Sequence, residues 1–390
     1  MRSKEFRGKI SQIFFISVAL ILFASQMFGQ GESAVPFLLI APNARADGMG
    51  ESGVALSDDG AASYWNPGGL AFEKYQEVSI THSNWLPQFH LSDLFYEFLA
   101  YRNNIEDWGG TVSGSIIYLN LGEFNRRGEN NEDLGTFKAY EFAVTAGYAT
   151  KVISELGVGV NLRFIYSALD PAKSQNQARG VASTVSFDIG ALWKPQSLVL
   201  PGLGDIEDRF AVGVNLSNLG PKLTYIQQAQ ADPLPTNLRL GFAVKIIKSE
   251  FNNITGTMDF SRMLVRRYPA DTLKDAQGNP VQPLVVTESH VDNLPKSLIS
   301  AWESGGLKKV TIAGGLEYWY GSPKLFALRW GYFYEHPNYG NRKFMTFGAG
   351  IRYDIYGFDF SYLSAIEENH PLSETLRFTL LMSWGGEDEE

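Results

Sequence analysis

The 390-residue chain contains no cysteine. Disulfides and thiolate metal sites are therefore excluded, and stability must come from elsewhere. No apolar run reaches the ~20 residues that a spanning helix needs, and a mean hydropathy of -0.13 excludes a bundle of membrane helices. Positive charge is in deficit: the net charge of -9 argues against a nucleic-acid partner, which would require a basic surface. Histidine is sparse, and His82, His90, His290, His336 and His370 include no pair at zinc-ligand spacing. No G-x-S-x-G elbow occurs. Gly48-Met-Gly-Glu-Ser-Gly53 matches the dinucleotide fingerprint, with Glu73 twenty residues beyond Gly53, but Gly60, Pro67, Gly68 and Gly69 interrupt the helix that such a fingerprint must open. The expectation is a protein that is not an enzyme and takes no cofactor or metal.

Aromatic residues make up 13% of the chain and glycine contributes 39 positions, a mixture suited to β-structure with interfacial aromatic girdles. The chain opens with Arg2, Lys4, Arg7 and Lys9, then an apolar stretch from Ile10 to Phe23, then Ala24, Ser25, Gly29 and Gln30. An apolar core of roughly 14 residues between basic and small residues reads as an export signal, so residues 1–29 are expected to be removed.

From Gln76 onward, segments of about ten alternating apolar and polar residues are separated by turns rich in Gly, Asn, Asp or Pro, the pattern of a wall between lipid and lumen. Tyr140, Phe142, Val144, Ala146 and Tyr148 share one face, with Glu141, Thr145 and Gly147 on the other. Thirteen such strands are legible: 76–85, 109–121, 138–152, 156–168, 181–194, 209–219, 237–247, 253–266, 308–320, 325–335, 342–353, 355–363 and 374–384. A single-chain bacterial barrel has an even number, with both ends in the periplasm and its longer loops outside. Parity thus demands one more strand. It falls at Asp93 to Arg102, although the spacing of Leu91, Leu94, Phe95, Phe98 and Leu99 is helical. The predicted fold is all-β: a 14-stranded antiparallel transmembrane barrel over residues 76–384, with the connections 122–137, 169–180, 220–236 and 267–307 outside. Residues 385–390 form an acidic periplasmic tail. A soluble sandwich or propeller is the rival all-β reading; strands as long as Lys138 to Val152 weigh against it.

Arg163, Arg239, Lys245, Arg329, Arg352, Asp354, Asp359 and Arg377 lie opposite apolar strand neighbours and are expected to face the lumen, since a cation at the bilayer midplane costs ~2–4 kcal/mol. Trp319, Tyr320, Trp330, Tyr332, Tyr334 and Tyr339 read as an interfacial girdle. In the loop 267–307, Asn293 as cap and Pro295 in the first turn predict a helix carrying Leu294, Leu298, Ile299 and Trp302.

Residues 30–75 carry no strand pattern and are the right size to fold into a lumen as a plug. Trp65, Asn66, Pro67 and Gly68 suit a buried irregular turn within it. In this region Val35-Pro-Phe-Leu-Leu-Ile-Ala-Pro-Asn-Ala-Arg-Ala-Asp-Gly-Met-Gly50, Gly53-Val-Ala and Tyr64-Trp-Asn-Pro-Gly-Gly-Leu-Ala-Phe72 resemble the PorV/PorQ family of type IX secretion system outer-membrane proteins, which are FadL-like barrels. Gly213-Val-Asn-Leu-Ser-Asn-Leu-Gly-Pro-Lys-Leu-Thr-Tyr225 and Leu234-Pro-Thr-Asn-Leu-Arg-Leu-Gly241 resemble the PorV branch. Gly68-Gly69 is a departure, since PorV proteins often carry Ala-Lys there. The resemblance implies 14 strands in the outer membrane, in contact with its lipid. It further implies a carrier of secreted cargo, recognised through the cargo's C-terminal signal domain and passed from the type IX translocon to a sortase-like attachment complex. Tyr225, Ile226, Leu234, Leu298 and Trp302 are the candidate anchors on the outer loops. A FadL-like transporter of hydrophobic small molecules and a general porin are the competing expectations.

Overall fold

The computed structural model describes residues 33–90, 93–127, 131–171, 180–200, 204–205, 207–225, 231–268, 290–368 and 370–385. The leader and the tail beyond Gly385 lie outside them. Fourteen strands close into one barrel. They are β1 (Gln76–Asn84), β2 (Phe95–Ile105), β3 (Gly110–Arg127), β4 (Asp133–Ile153), β5 (Leu156–Asp170), β6 (Gly180–Trp193) and β7 (Phe210–Leu219), followed by β8 (Asn237–Lys248), β9 (Asn252–Met263), β10 (Thr311–Tyr320), β11 (Phe326–Tyr334), β12 (Lys343–Tyr353), β13 (Tyr356–Ala365) and β14 (Thr375–Trp384). Each pairs antiparallel with its neighbours in sequence, and β1 closes on β14 from Gln76↔Trp384 to Ser83↔Arg377. Parity was the better guide at β2: its residues pair with β1 from Glu77↔Arg102 to Asn84↔Phe95, so long-range ladder bonds override the helical spacing of its leucines and phenylalanines.

Alternation sorts the side chains as a barrel wall requires. Leu162 is 50% exposed on the lipid face, whereas the next residue, Arg163, is 3% exposed and points into the lumen. Arg239, Arg329, Asp359 and Arg377 are buried inside as expected, and Arg352 reaches Asp359 at 2.7 Å near the end that holds the chain termini. Asp354 is not on a strand; it forms the tight turn between β12 and β13 with φ 53°. Phe95, Tyr118, Tyr140 and Tyr166 make a row of rings on successive strands, 6.1–6.2 Å apart, where the outer interface is expected. The proposed girdle is only partly outward: Tyr320 and Trp330 are exposed, but Trp319 is buried on the lumen face with the guanidinium groups of Arg329 and Arg352 over its ring. The parity of β10 decides this, because Trp319 shares a face with Glu317.

Two other expectations need correction. Residues 122–137 are mostly ladder: Gly122↔Ala139, Phe124↔Phe137 and Arg127↔Asp133 continue the β3–β4 hairpin well past the girdle. At ~3.3 Å per residue and a tilt near 40°, the 18 residues of β3 rise about 45 Å, far more than the ~25 Å apolar band. Both faces there meet water, so alternation disappears and the sequence looks like a loop. The strand expected to run to Arg266 stops at Met263, and Arg267–Tyr268 pairs instead with His290–Val291 in a small separate ladder.

The inside/outside assignment generates a direct expectation. Leu162→Arg puts a cation at mid-wall in lipid and should destabilise the barrel by ~2–4 kcal/mol in denaturant titrations in vesicles, whereas Val152→Arg, exposed near the rim, should cost under about 1 kcal/mol. Equal costs at the two positions would contradict the lipid-facing assignment.

Candidate functional site

The site is the seam between the N-terminal segment, residues 33–75, and the inner wall of the barrel. The segment has almost no regular structure: α1 (Ala44–Asp47), α2 (Ala62–Trp65) and two short 3-10 turns. Its backbone groups therefore need partners from the wall. Gly53 and Val54 donate their amides to one oxygen of Asp259, at 2.7 and 2.9 Å. Gly60 donates to Glu77 at 2.6 Å, Gly50 to Thr346 at 2.8 Å, and Ser63 accepts from Asn161 at 2.7 Å.

Charge pairing fixes the segment's position. Arg45 makes a two-pronged contact with Glu317, Nε to Oε2 and Nη2 to Oε1, both 2.8 Å, and also pairs with Asp58 of its own segment. Glu317 in turn binds Arg329 at 2.8 Å, and Arg329 binds Asp359 at 2.8 Å. Asp47 pairs with the fully buried Arg377 and accepts the hydroxyl of Ser361 at 2.6 Å. Arg102 bridges Glu73 and Glu77 at 2.9 Å each. One partner alone would leave a buried charge uncompensated, a cost of ~3–5 kcal/mol, so each pair specifies one seating of the segment.

Every residue of the expected irregular turn is placed against this wall. Trp65 is 4% exposed; its indole Nε1 donates to Asn43 Oδ1 at 2.9 Å, and the Arg239 guanidinium lies 5.2 Å above its ring. Asn66 has no exposed surface and binds three backbone groups: Nδ2 donates to the carbonyls of Val54 (3.0 Å) and Ala191 (2.9 Å), and Oδ1 accepts from Gly68 N (3.0 Å). Pro67 starts the 3-10 turn, and Gly68 packs so closely on Ala191 that a Cβ would lie 2.7 Å from its Cα. Glycines of the wall allow the same approach from the other side. A Cβ at Gly315 would lie 2.6 Å from Met49 Cα, and one at Gly190 2.6 Å from Pro67 Cδ.

Part of the lumen at the end away from the chain termini is filled by an apolar cluster. Val35, Phe37, Leu38 and Ile40 pack with Tyr96, Phe98, Ile117 and Ile165 of the wall and with Leu223 and Leu234 of the β7–β8 connection. This relocates two candidate anchors. Leu234 is buried in that cluster, and Tyr225 turns inward to donate its hydroxyl to Ser167 Oγ at 2.8 Å. Ile226 lies outside the described residues. Leu298 is half-buried on α3 (Leu294–Ser300), whose cap Asn293 accepts from Lys296 N at 3.4 Å. Trp302 remains exposed, its ring 4.7 Å under the Arg262 guanidinium.

Sequence reasoning gave no role to Arg45, Asp47, Asp188, Asn218 or Asp259. Charges at Arg45 and Asp47 inside an otherwise apolar stretch were the available signal. A small cavity of about 60 Å³ between segment and wall is lined by Glu51, Trp65, Arg239, Asp259 and Arg342. Burial pushes the Glu51 carboxyl up to about 7, with Arg377 pulling it down and Asp47 adding to the rise. A proton held more tightly in the folded state contributes stability that is full below the ordinary glutamate range and is lost as pH rises through about 7.

Two measurements check the seam. Gly315→Ala should raise the protease sensitivity of residues 33–72, at a cost of ~1–3 kcal/mol for overpacking, whereas Gly314→Ala, where a Cβ would come no closer than 3.4 Å to the Thr257 carbonyl oxygen, should not. The thermal stability of the native protein relative to Glu51→Gln should fall between about pH 5 and about pH 8; a constant difference would contradict the partly buried placement of Glu51 beside this cavity.

The family model for the type IX secretion system protein PorV matches residues 29–270. No curated protein sequence matches this chain. Among solved structures, a mutant of the TodX monoaromatic hydrocarbon channel (deltaS2) is similar with a TM-score of 0.51 at 11% identity, covering 88% of this chain and 97% of that one. The toluene transporter TodX of Pseudomonas putida gives 0.49 at 12% identity over 87% and 96% of the chains, and a Pseudomonas aeruginosa FadL homologue 0.47 at 11% over 88% and 97%. At such identities the likeness is one of fold, and it is carried by the first of these. With a family match over more than half its length and a closed barrel of 14 strands, the chain belongs to the PorV family of the type IX secretion system and resides in the outer membrane.

Proposed function

We propose that this barrel is a non-catalytic carrier in type IX secretion. It binds the C-terminal signal domain of secreted proteins on its outer side and passes them from the translocon to the sortase-like attachment complex. What supports the reading is the packing of residues 33–75 against the inner wall. A small-molecule channel needs a path along the axis, and a segment held to the wall through Arg45, Asp47, Asn66 and the apolar cluster around Phe37 leaves less room for one. What remains for recognition is the outer rim. Ile299 and Leu307, 74% and 83% exposed, stand there with Trp302 and with Phe124 of the tall β3–β4 hairpin. Exposed apolar groups in water beyond the membrane band suit a protein partner. A specific complex would bury on the order of 1,200–2,000 Å² in total, so several loops must contribute.

Transport of hydrophobic small molecules is the second reading, favoured by the fold shared with the TodX channel mutant. It requires the segment to leave the lumen, breaking buried ion pairs. Deleting residues 31–72 should raise conductance in planar bilayers well above that of the intact barrel. Ile299→Asp combined with Leu307→Asp should weaken binding of a purified secreted protein carrying the C-terminal domain at least tenfold, about 1.4 kcal/mol, with no change in conductance. A barrel purified from its native cells in mild detergent with bound fatty acid and no secreted protein would overturn the carrier reading in favour of transport.

A further inference from the structure

The barrel wall is stepped at one place. Toward β5, β6 is paired along its whole length, from Asp170↔Gly180 to Leu156↔Trp193. Toward β7, its ladder runs only from Phe187↔Leu219 to Trp193↔Val212. Among the described residues, Gly180 to Ser186 thus have no strand on that side, a free edge of roughly 20 Å at ~3.3 Å per residue.

A bulge ends the pairing. Phe187 faces Leu219, but Ile189 faces Leu216, so Asp188 stands opposite two residues of β7. The extra residue, Asn218, lies in the left-handed region at φ 59°. Its amide donates to Asp188 at 2.8 Å, and its side chain donates to the Pro235 carbonyl at 3.0 Å and accepts from Arg163. The Thr236 hydroxyl donates to its carbonyl at 3.0 Å. Asp188 itself is held by Arg163 at 2.7 Å. Beyond this knot the chain turns into the lumen, where Leu223 is buried, and Gly220 seals the foot of the step against the Val185 carbonyl.

The level of the step matters. Ser183 pairs with Tyr166, a member of the outer aromatic row, so the edge begins in the outer leaflet and rises into water. Unpaired amides and carbonyls at the membrane surface invite a strand. We infer that this edge takes up one extended segment of the secreted protein, adding a strand to β6; the inference rests on the carrier reading. Only an extended peptide offers donors and acceptors at the required spacing. An acyl chain has none, and a second barrel is too broad for a step bounded below by β7. Beside Gly220 a cavity of about 220 Å³, lined by Pro221, Leu234, Leu264, Val265 and Asp292, offers a place for an apolar side chain of the added strand. Ladder bonds would then supply affinity, and the cavity selectivity.

Amide hydrogen exchange on the full barrel in detergent tests this, with and without a purified secreted protein carrying its C-terminal domain. In the free barrel, alternate amides of residues 180–186 should exchange rapidly while those of Phe187 to Trp193 stay protected; the secreted protein should slow the rapid set at least tenfold. Ser183→Pro and Thr184→Pro then separate edge from barrel. The proline whose lost N–H faced β5 should disturb folding, and the other should leave the barrel intact and weaken binding at least tenfold. Edge amides already protected in the free barrel would overturn the inference, since the chain would be covering its own edge. Binding that leaves the edge amides unchanged would overturn it while leaving the carrier reading intact. No binding at all would overturn both.

Discussion

Lipid offers no hydrogen bonds, and from that constraint the rest of the molecule follows. A sheet that crosses a membrane must close on itself so that its amides have neighbours, and here closure takes 14 strands and the β1–β14 ladder, with the step at β6 left where the wall reaches the membrane surface. Closure fixes which face of each strand meets lipid, and so sends Arg163, Arg329, Asp359 and Arg377 inward. A lumen lined with charges cannot stay dry and empty. Residues 33–75 answer it by bringing charges of opposite sign and an irregular backbone whose free amides the wall carboxylates can bind.

How much of this was legible depends on where each residue sits. Strands that cross lipid carry an alternation that cannot be faked, because a residue out of register puts a charge in hydrocarbon; these were read nearly to their ends. β2 obeys the same rule but was ambiguous, since Phe95, Phe98 and Leu99 satisfy helical spacing as well, and only the parity of the whole barrel decided it. Above the membrane the constraint lapses. Glu123, Asn125, Arg126 and Arg127 lie on a strand whose two faces both meet water, and nothing in their order announces a ladder.

The seam was legible in its outline and not in its partners. Trp65, Asn66 and Pro67 announce a buried irregular turn through their chemistry. That Asn66 spans Val54 and Ala191 depends on a contact 125 positions along the chain, which no local pattern contains. Tyr225 and Leu234 show the opposite failure: apolar residues in an outer connection look like anchors for a partner until the fold turns that connection back into the lumen.

The use of ion pairs to hold the segment bears on what the barrel can do. An apolar plug of equal volume would be at least as stable, because a buried pair recovers little more than the desolvation it costs. What charges add is a single register. Arg45 fits one carboxylate with both prongs, Asp47 fits one guanidinium, and sliding the segment by one residue would strand both. The wall glycines narrow the choice further, since Gly315 admits the Met49 backbone, and Gly190 the Asn66 side chain and the Pro67 ring, where any other residue would exclude them. On the carrier reading proposed above, a segment seated in one register against β5 to β9 would hold that wall, and with it the bulge at Asn218, in one shape, so that the rim would meet a partner without first having to order itself.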